Sequence, residues 1–292
     1  MDGILLVNKP KDYSSHDVVA VLRGILKTRK IGHSGTLDPD ATGLLVVGIG
    51  KGTKIMRYLN QDDKGYEATV CIGKATTTLD DTGEVTDTKS VSRLTGVDDV
   101  LASFLGQYTQ TPPMYSAIKY KGKRLYEYAR KGIIIDDIPS RDITIKEIAR
   151  TSEIRYENDK AYFEYNVLGS KGLYVRTLSY DLAKKLGYPG YNYQLNRVKA
   201  GHFSLDNAYT LEDIKGGNYT LISLSDALGH LPKVIANKRM QEDIKYGRLL
   251  SVTDFPHLGL TRVVDESNQL LAIYTKHPKR MAMKPTNVFV KD

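Results

Sequence analysis

Period-two alternation is the pattern that most restricts how this chain folds. Tyr66, Ala68, Val70 and Ile72 are apolar, and Glu67, Thr69 and Cys71 separate them. Successive side chains of an extended segment point to opposite faces, so this run predicts a strand with one buried face. Residues 143–155 and 161–167 read as two more strands, and Asn158-Asp159 between them supplies the turn. Residues 4–7 and 44–49 are short apolar runs and read as buried strands.

Helical patterns lie between these strands. Ser14-Ser15 offers an N-cap with Asp17 in the first turn, and Val18, Val19, Leu22, Ile25 and Leu26 follow at helical spacing. Residues 53–59 and 97–105 read as helices. So do residues 174–186, closed by Gly187, and a segment opened by Thr210 as its cap. Hairpin-like strands with scattered helices predict an α+β class, a largely antiparallel mixed sheet flanked by helices. At 292 residues the chain is long for one domain. From about Leu231 the pattern changes to one helix (238–246) and short strands between turn signals. The expected organisation is a large domain over 1–230 and a small β-rich module over 231–292.

The chemistry concentrates in residues 32–43, between the first helix and a buried strand. This stretch packs glycines, hydroxyls, His33 and the carboxylates Asp38 and Asp40, and loops on rigid flanks often carry function. Pro39 biases Asp38 toward an extended backbone. An Asp-Pro pair also makes ordinary turns, and such an aspartate also serves as a backbone cap; the residues alone leave both roles open. Other readings fail on spacing. Gly43 to Gly48 is followed by Ile49 rather than lysine, and Gly48 to Thr53 lacks the third glycine of a dinucleotide fingerprint. The six histidines show no paired ligand spacing, and one cysteine cannot build a zinc site. No metal and no cofactor are expected.

Charge points to the partner. The formal net charge is +8, which suits a polyanion, either nucleic acid or an anionic membrane surface. Residues 115–132 hold Lys119, Lys121, Lys123, Arg124, Arg130 and Lys131 against Glu127, with four tyrosines interleaved. Cations neutralise phosphates and tyrosine faces stack on bases, so this reads as an RNA-gripping element rather than only a solvated charged helix. Lys276, Lys279, Arg280, Lys284 and Lys291 give the tail a second basic surface. No run approaches 18 consecutive apolar residues and no basic leader precedes the first strand. With a single cysteine, Cys71, a cytoplasmic setting is expected.

The stretch Gly32-His33-Ser34-Gly35-Thr36-Leu37-Asp38-Pro39-Asp40-Ala41-Thr42-Gly43 resembles the signature loop of the TruB family of tRNA pseudouridine synthases. Four further segments fall in order: Lys9-Pro10 with Ser14-Ser15, Lys64-Gly65-Tyr66, Gly172 to Thr177, and Leu195-Asn196-Arg197. The resemblance runs from residue 3 to about 230, and the tail resembles, less specifically, a PUA RNA-binding domain. It implies a cofactor-free isomerase that everts a T-loop uridine, conventionally position 55, and rebuilds its glycosidic bond. Asp38 would be the catalytic carboxylate, Arg176 its ion-pair partner and Tyr66 an active-site tyrosine. Leu195 would line the uracil pocket, and His33 would stack where the base leaves. Lys9, Pro10, Gly35, Thr36, Tyr174 and Arg197 would also meet substrate. Residues 112–140 resemble the family's thumb-like insertion and would place Lys119 and Arg124 on the tRNA. Guide-RNA-dependent relatives lack the insertion in this form, which implies a stand-alone enzyme without guide RNA. Nothing in the sequence requires a dimer, so a monomer is expected. Three departures stand out. Asp12 replaces a usual glycine, Asp40 adds a carboxylate that would raise a shared pKa if it faced the pocket, and Asn196 replaces a common arginine. A non-catalytic tRNA-binding or tRNA-folding protein on the same fold is the other reading.

Overall fold

The computed structural model describes residues 1–59, 63–135 and 137–290; Lys291 of the basic tail and Asp136 of the insertion lie outside them. Its main sheet runs, in spatial order, Gly3–Lys9, Thr42–Ile49, Gly190–Ala200, Lys64–Ile72, Lys160–Gly169, Arg141–Arg150 and Gly106–Gln110. Within this order every pairing is antiparallel except the short parallel contact of Asn196 and Arg197 with Thr42 and Gly43. The alternation of Lys64–Ile72 is obeyed. Tyr66, Ala68, Val70 and Ile72 enter a core completed by Leu178 and Leu182 of the helix Val175–Lys185.

Gly3–Lys9 and Thr42–Ile49 show why they are apolar without alternation. Leu5, Val7, Leu45 and Val47 pack on Val18, Val19 and Leu22 of the helix Ser15–Ile25, while Ile4, Leu6, Leu44 and Val46 bury the other face. That helix starts where the sequence places it: the Ser14 side chain accepts from Asp17 N and the Asp17 carboxylate accepts from Ser14 N, a reciprocal cap that contributes about 1 kcal/mol.

Three elements differ from the sequence reading. Ile31–Ser34 is a strand on Thr42–Ile49 rather than loop, and its partner's register supplies what its own residues do not announce. Gly190–Ala200, the strand beside Lys64–Ile72, has bulges at Asn192/Gln194 and Arg197/Lys199 that break its alternation. The helix expected over 97–105 closes at Ala102.

Residues beyond 231 form a second, five-stranded sheet: Lys233–Ile235, Thr261–Val264, Leu270–Lys276, Ala282–Val288 and Leu250–Ser251. Its inner face covers Met240 and Ile244 of the helix Lys238–Lys245. The other face is not separate. Val264, Leu270, Ile273 and Phe289 share a core with Ile4, Leu44 and Tyr58, and the Tyr58 hydroxyl donates to Thr286 Oγ1 at 2.9 Å.

Candidate active site

The loop between Ser34 and Thr42 is held from below by buried polar groups. Ser15 Oγ accepts from Leu37 N at 2.9 Å and donates to Leu37 O at 3.2 Å. Lys9 Nζ donates to the carbonyls of Pro10, Tyr13 and Pro39 at 2.9, 2.6 and 3.1 Å. Arg197 donates from Nε to Leu44 O at 2.8 Å and from Nη2 to Gly35 O at 3.3 Å. Leu37 and Ala41 point into the protein. Gly43, with φ +100°, has the Arg197 carbonyl 2.4 Å from where a Cβ would sit, so only glycine lets the two strands meet here.

This scaffold leaves Asp38 outward, on the wall of a cleft of about 730 Å³ lined also by Gly35, Thr36, Tyr66, Tyr174, Arg176, Leu195 and Arg197. Asp38 keeps 42% of its side-chain surface open, and Arg176 Nη2 contacts its Oδ2 at 2.9 Å. The guanidinium is otherwise buried, and both of its terminal nitrogens are engaged. Nη1 donates to Thr78 O at 3.0 Å and to Asp80 Oδ2 at 3.2 Å, and Nη2 also donates to Tyr115 O at 2.8 Å.

Arg176 occupies the first turn of the helix Val175–Lys185, an end where the helix dipole disfavours a cation; two carboxylates offset that. The helix lacks a side-chain cap of its own. Gln110 replaces it, accepting from Tyr174 N and donating to Tyr174 O, both at 2.8 Å.

Burial raises the Asp38 pKa above the ordinary carboxylate value. Arg176 and Lys9 pull it down, and Asp80 pushes it further up. Asp40 does not share the site. It pairs with Lys11 at 2.9 Å in a neighbouring groove, so the repulsor that sequence reading assigned to Asp40 is Asp80 instead. Asp80 was invisible in sequence because Asp80-Asp81-Thr82-Gly83 reads as a turn, and its side chain does accept from Thr82 N at 3.1 Å. Only the fold brings it to a residue 96 positions away. Replacing Asp80 with asparagine removes a like charge, so the acid limb of a kcat–pH profile should move to lower pH. The plateau should fall roughly ten-fold as Arg176 loses a tether. An acid limb that moved up would contradict this electrostatic account.

A profile of the TruB family pseudouridylate synthase, N-terminal domain, matches residues 23–175. The tRNA pseudouridine synthase B of Halalkalibacterium halodurans is 43% identical over 302 residues, covering 100% of this chain and 99% of that one. The Bacillus subtilis protein of the same name is 41% identical, covering 100% and 98%. The chain belongs to the TruB family. It is thus an isomerase, a pseudouridine synthase. Its fold matches a chain from an H/ACA RNP bound to a substrate RNA containing 2′-deoxyuridine, with TM-score 0.72, 20% identity and coverage of 99% and 85%. A chain of a Cbf5-Nop10-Gar1 complex superposes equally, with TM-score 0.72 and 23% identity over 99% and 85%.

Against the TruB signature, two cations shift from expected substrate contacts to scaffold. Lys9 is inaccessible, and burial lowers its pKa to about 8 despite the nearby Asp38 and Asp40. Arg197 is buried beneath the cleft, where burial lowers its pKa and the Tyr66 hydroxyl partly restores it. Both spend donors on backbone carbonyls, Lys9 on Pro10, Tyr13 and Pro39 and Arg197 on Gly35 and Leu44. Pro10 contributes its carbonyl to Lys9 and does not line the cleft. His33 lies on Ile31–Ser34, edge-on to His16 at 5.3 Å. Burial and the His16 charge lower its pKa, and its Nδ1 is buried without a hydrogen bond. Lys119 and Arg124 are exposed on a two-stranded hairpin, followed by the helix Leu125–Ala129, so the basic run is a hairpin and short helix rather than one helix. Asp12 takes φ +66°, the conformation glycine would adopt, and its N–H donates to Pro39 O at 2.9 Å. Asn196 faces away from the cleft and donates to Glu67 at 2.9 Å.

Proposed function

We propose that this chain converts uridine to pseudouridine in tRNA, at the T-loop uridine conventionally numbered 55, without guide RNA or cofactor. One observation carries the reading: a half-exposed carboxylate, Asp38, held by a buried guanidinium at 2.9 Å in a cleft that Tyr66 and Leu195 also line. The names of the full-length relatives supply the substrate class.

The reaction breaks the N1–C1′ bond, forms a C5–C1′ bond and moves a proton from C5 to N1. It is redox-neutral, so acid–base and nucleophilic groups suffice. Arg176 favours the ionised Asp38 that must attack or accept a proton. Leu195 gives the everted uracil an apolar wall, and Tyr66 stacks on it and relays the C5 proton. The base must leave its stack to reach Asp38.

We assign residues 1–230 to catalysis, with the 112–140 insertion gripping RNA through Lys119 and Arg124, and residues 231–292 to a PUA-like RNA-binding module. The second sheet supports that division, although its apolar face is shared with the catalytic part. No helix of the described residues is long and apolar enough to cross a membrane. A monomeric cytoplasmic enzyme is the fitting form.

The test is to incubate tRNA with the purified chain and map pseudouridine along it. A single new pseudouridine in the T loop is expected; none, or one elsewhere, refutes the assignment. Tritium release from C5-labelled uridine separates the enzyme from a binding-only protein of the same fold. Phosphate contacts release counterions. Affinity should therefore fall roughly 10²-fold or more between 50 and 200 mM salt, with Lys119→Ala and Arg124→Ala each flattening the slope by about one. A flat salt response removes the hairpin from the RNA interface.

A further inference from the structure

We infer that Arg141 binds a backbone phosphate of the substrate RNA, next to the everted uridine, at the neck where the insertion joins the catalytic sheet. The inference deepens the pseudouridylation reading above and rests on it. Arg141 borders the cleft and is exposed, and its guanidinium makes no hydrogen bond or ion pair among the described residues. Besides burial, Asp38 feels the charges of Arg176, Asp80 and Lys9, so Arg141 is not its counter-ion.

The sheet fixes where this guanidinium stands. Arg141 opens the strand Arg141–Arg150, and its register partner is Gln110, the last residue of Gly106–Gln110. Gln110 is itself tied to both backbone groups of Tyr174. One step further out, Thr111 Oγ1 and Ser140 Oγ are hydrogen-bonded at 3.0 Å. The two ends of the insertion therefore meet here, and RNA held by both the hairpin and the cleft crosses this neck. Strand alternation puts residues 141, 143 and 145 on one face. Ile143 and Ile145 are buried in the core, and Arg141 stands where that face emerges into the cleft. A base fixed in this way spares the entropy of ordering a contact during binding.

The surroundings select an anion. Apart from the Asp38–Arg176 pair, the charged residues lining the cleft are Lys64, Arg141, Lys171 and Arg197 against Asp142. The Asp142 carboxylate accepts from Thr109 Oγ1 at 2.6 Å. The Tyr174 phenol feels both ends of the cleft: burial raises its pKa, the Ser116 hydroxyl and the Arg141 charge lower it, and the Asp38 charge raises it. An everted uracil at Asp38 and a phosphodiester at Arg141 would therefore flank one tyrosine, as the two ends of a single nucleotide do. A guanidinium fork matches two phosphate oxygens, whereas uracil offers it no charge.

The experiment uses the full chain. Kinetics are read on a T-stem-loop RNA with C5-tritiated target uridine. Affinities are read on the same RNA with one neutral methylphosphonate at either linkage flanking the target, against all-phosphate controls with matched 2′-O-methyl sugars. Arg141→Gln should raise KM about ten-fold and flatten the salt dependence of affinity by about one unit of slope. Arg141→Lys keeps the charge and should keep the slope. At one of the two linkages the methylphosphonate should weaken binding by the parent about ten-fold and leave Arg141→Gln unaffected. At the other, both proteins should lose equally. Arg141→Met is the second neutral variant if the glutamine folds poorly. Equal losses at both linkages, a neutral variant with the parent's KM and slope, or a slope lost equally in Arg141→Lys would overturn the inference. A parent that binds this RNA and releases no tritium overturns the functional reading instead, and the affinities still decide on Arg141.

Discussion

Replacing Asp38 with asparagine should lower pseudouridine formation by at least about 10⁴-fold while leaving tRNA affinity unchanged. The amide keeps the shape of the side chain and one acceptor for Arg176 Nη2, so the cleft and its RNA contacts persist. What disappears is the negative charge that attacks or takes a proton. Single-turnover tritium release measures the first effect and filter binding the second.

The same variant carries a stability prediction with a definite sign. The folded-state pKa of Asp38 lies above its unfolded value, chiefly through burial. The native protein therefore binds this proton more tightly, and stability is lost as pH rises from the ordinary carboxylate value through the raised one. At neutral pH the ionised Asp38 is a net cost, retained for function. Asp38→Asn should melt no lower than the parent at pH 7, and its advantage should vanish in acid. Activity approaching the parent's would end the catalytic assignment; a large drop in melting temperature would contradict the electrostatic account.

The second large effect is expected at Arg176. Arginine to lysine keeps the charge but replaces a planar fork by one ammonium. Nη1 and Nη2 reach Thr78 O, Asp80, Tyr115 O and Asp38 simultaneously, and a single nitrogen with three donors cannot span that set. kcat should fall roughly 10²–10³-fold with little change in KM, because the lost geometry positions the carboxylate rather than the RNA. The acid limb of the profile should rise in pH as the positive charge withdraws from its 2.9 Å contact with Asp38. Stability should fall by about 1–3 kcal/mol from partly unsatisfied buried acceptors. A variant losing only affinity would place Arg176 on the substrate rather than on Asp38.

Both variants probe residues legible in the sequence, whereas their neighbours in the cleft were less so. Asp38, Tyr66 and Arg176 were named from short segments, and the structure brings all three to one cleft. Asp80 completes the same charge cluster and escaped notice, because a turn aspartate is ordinary in sequence. Lys9 and Arg197 were noticed and expected at the substrate. Lysine and arginine are seldom buried without partners, and part of their pairing here comes from carbonyls distant in sequence, Pro39 for Lys9 and Gly35 and Leu44 for Arg197, which only folding brings close.

Preferences acting between neighbouring residues are therefore legible before any fold is known. The alternation of Lys64–Ile72, the Ser14 cap, the doubly buried apolar strands and the glycine-rich loop each follow from steric and solvation preferences within a few residues. Tertiary structure alone decided which charges face water and which lock a loop. It also decided which carboxylate, Asp80 or Asp40, stands beside Asp38. The reason is range: backbone and burial preferences act along neighbouring residues, whereas desolvation and ion pairing act between groups that only the closed sheet brings within a few ångströms.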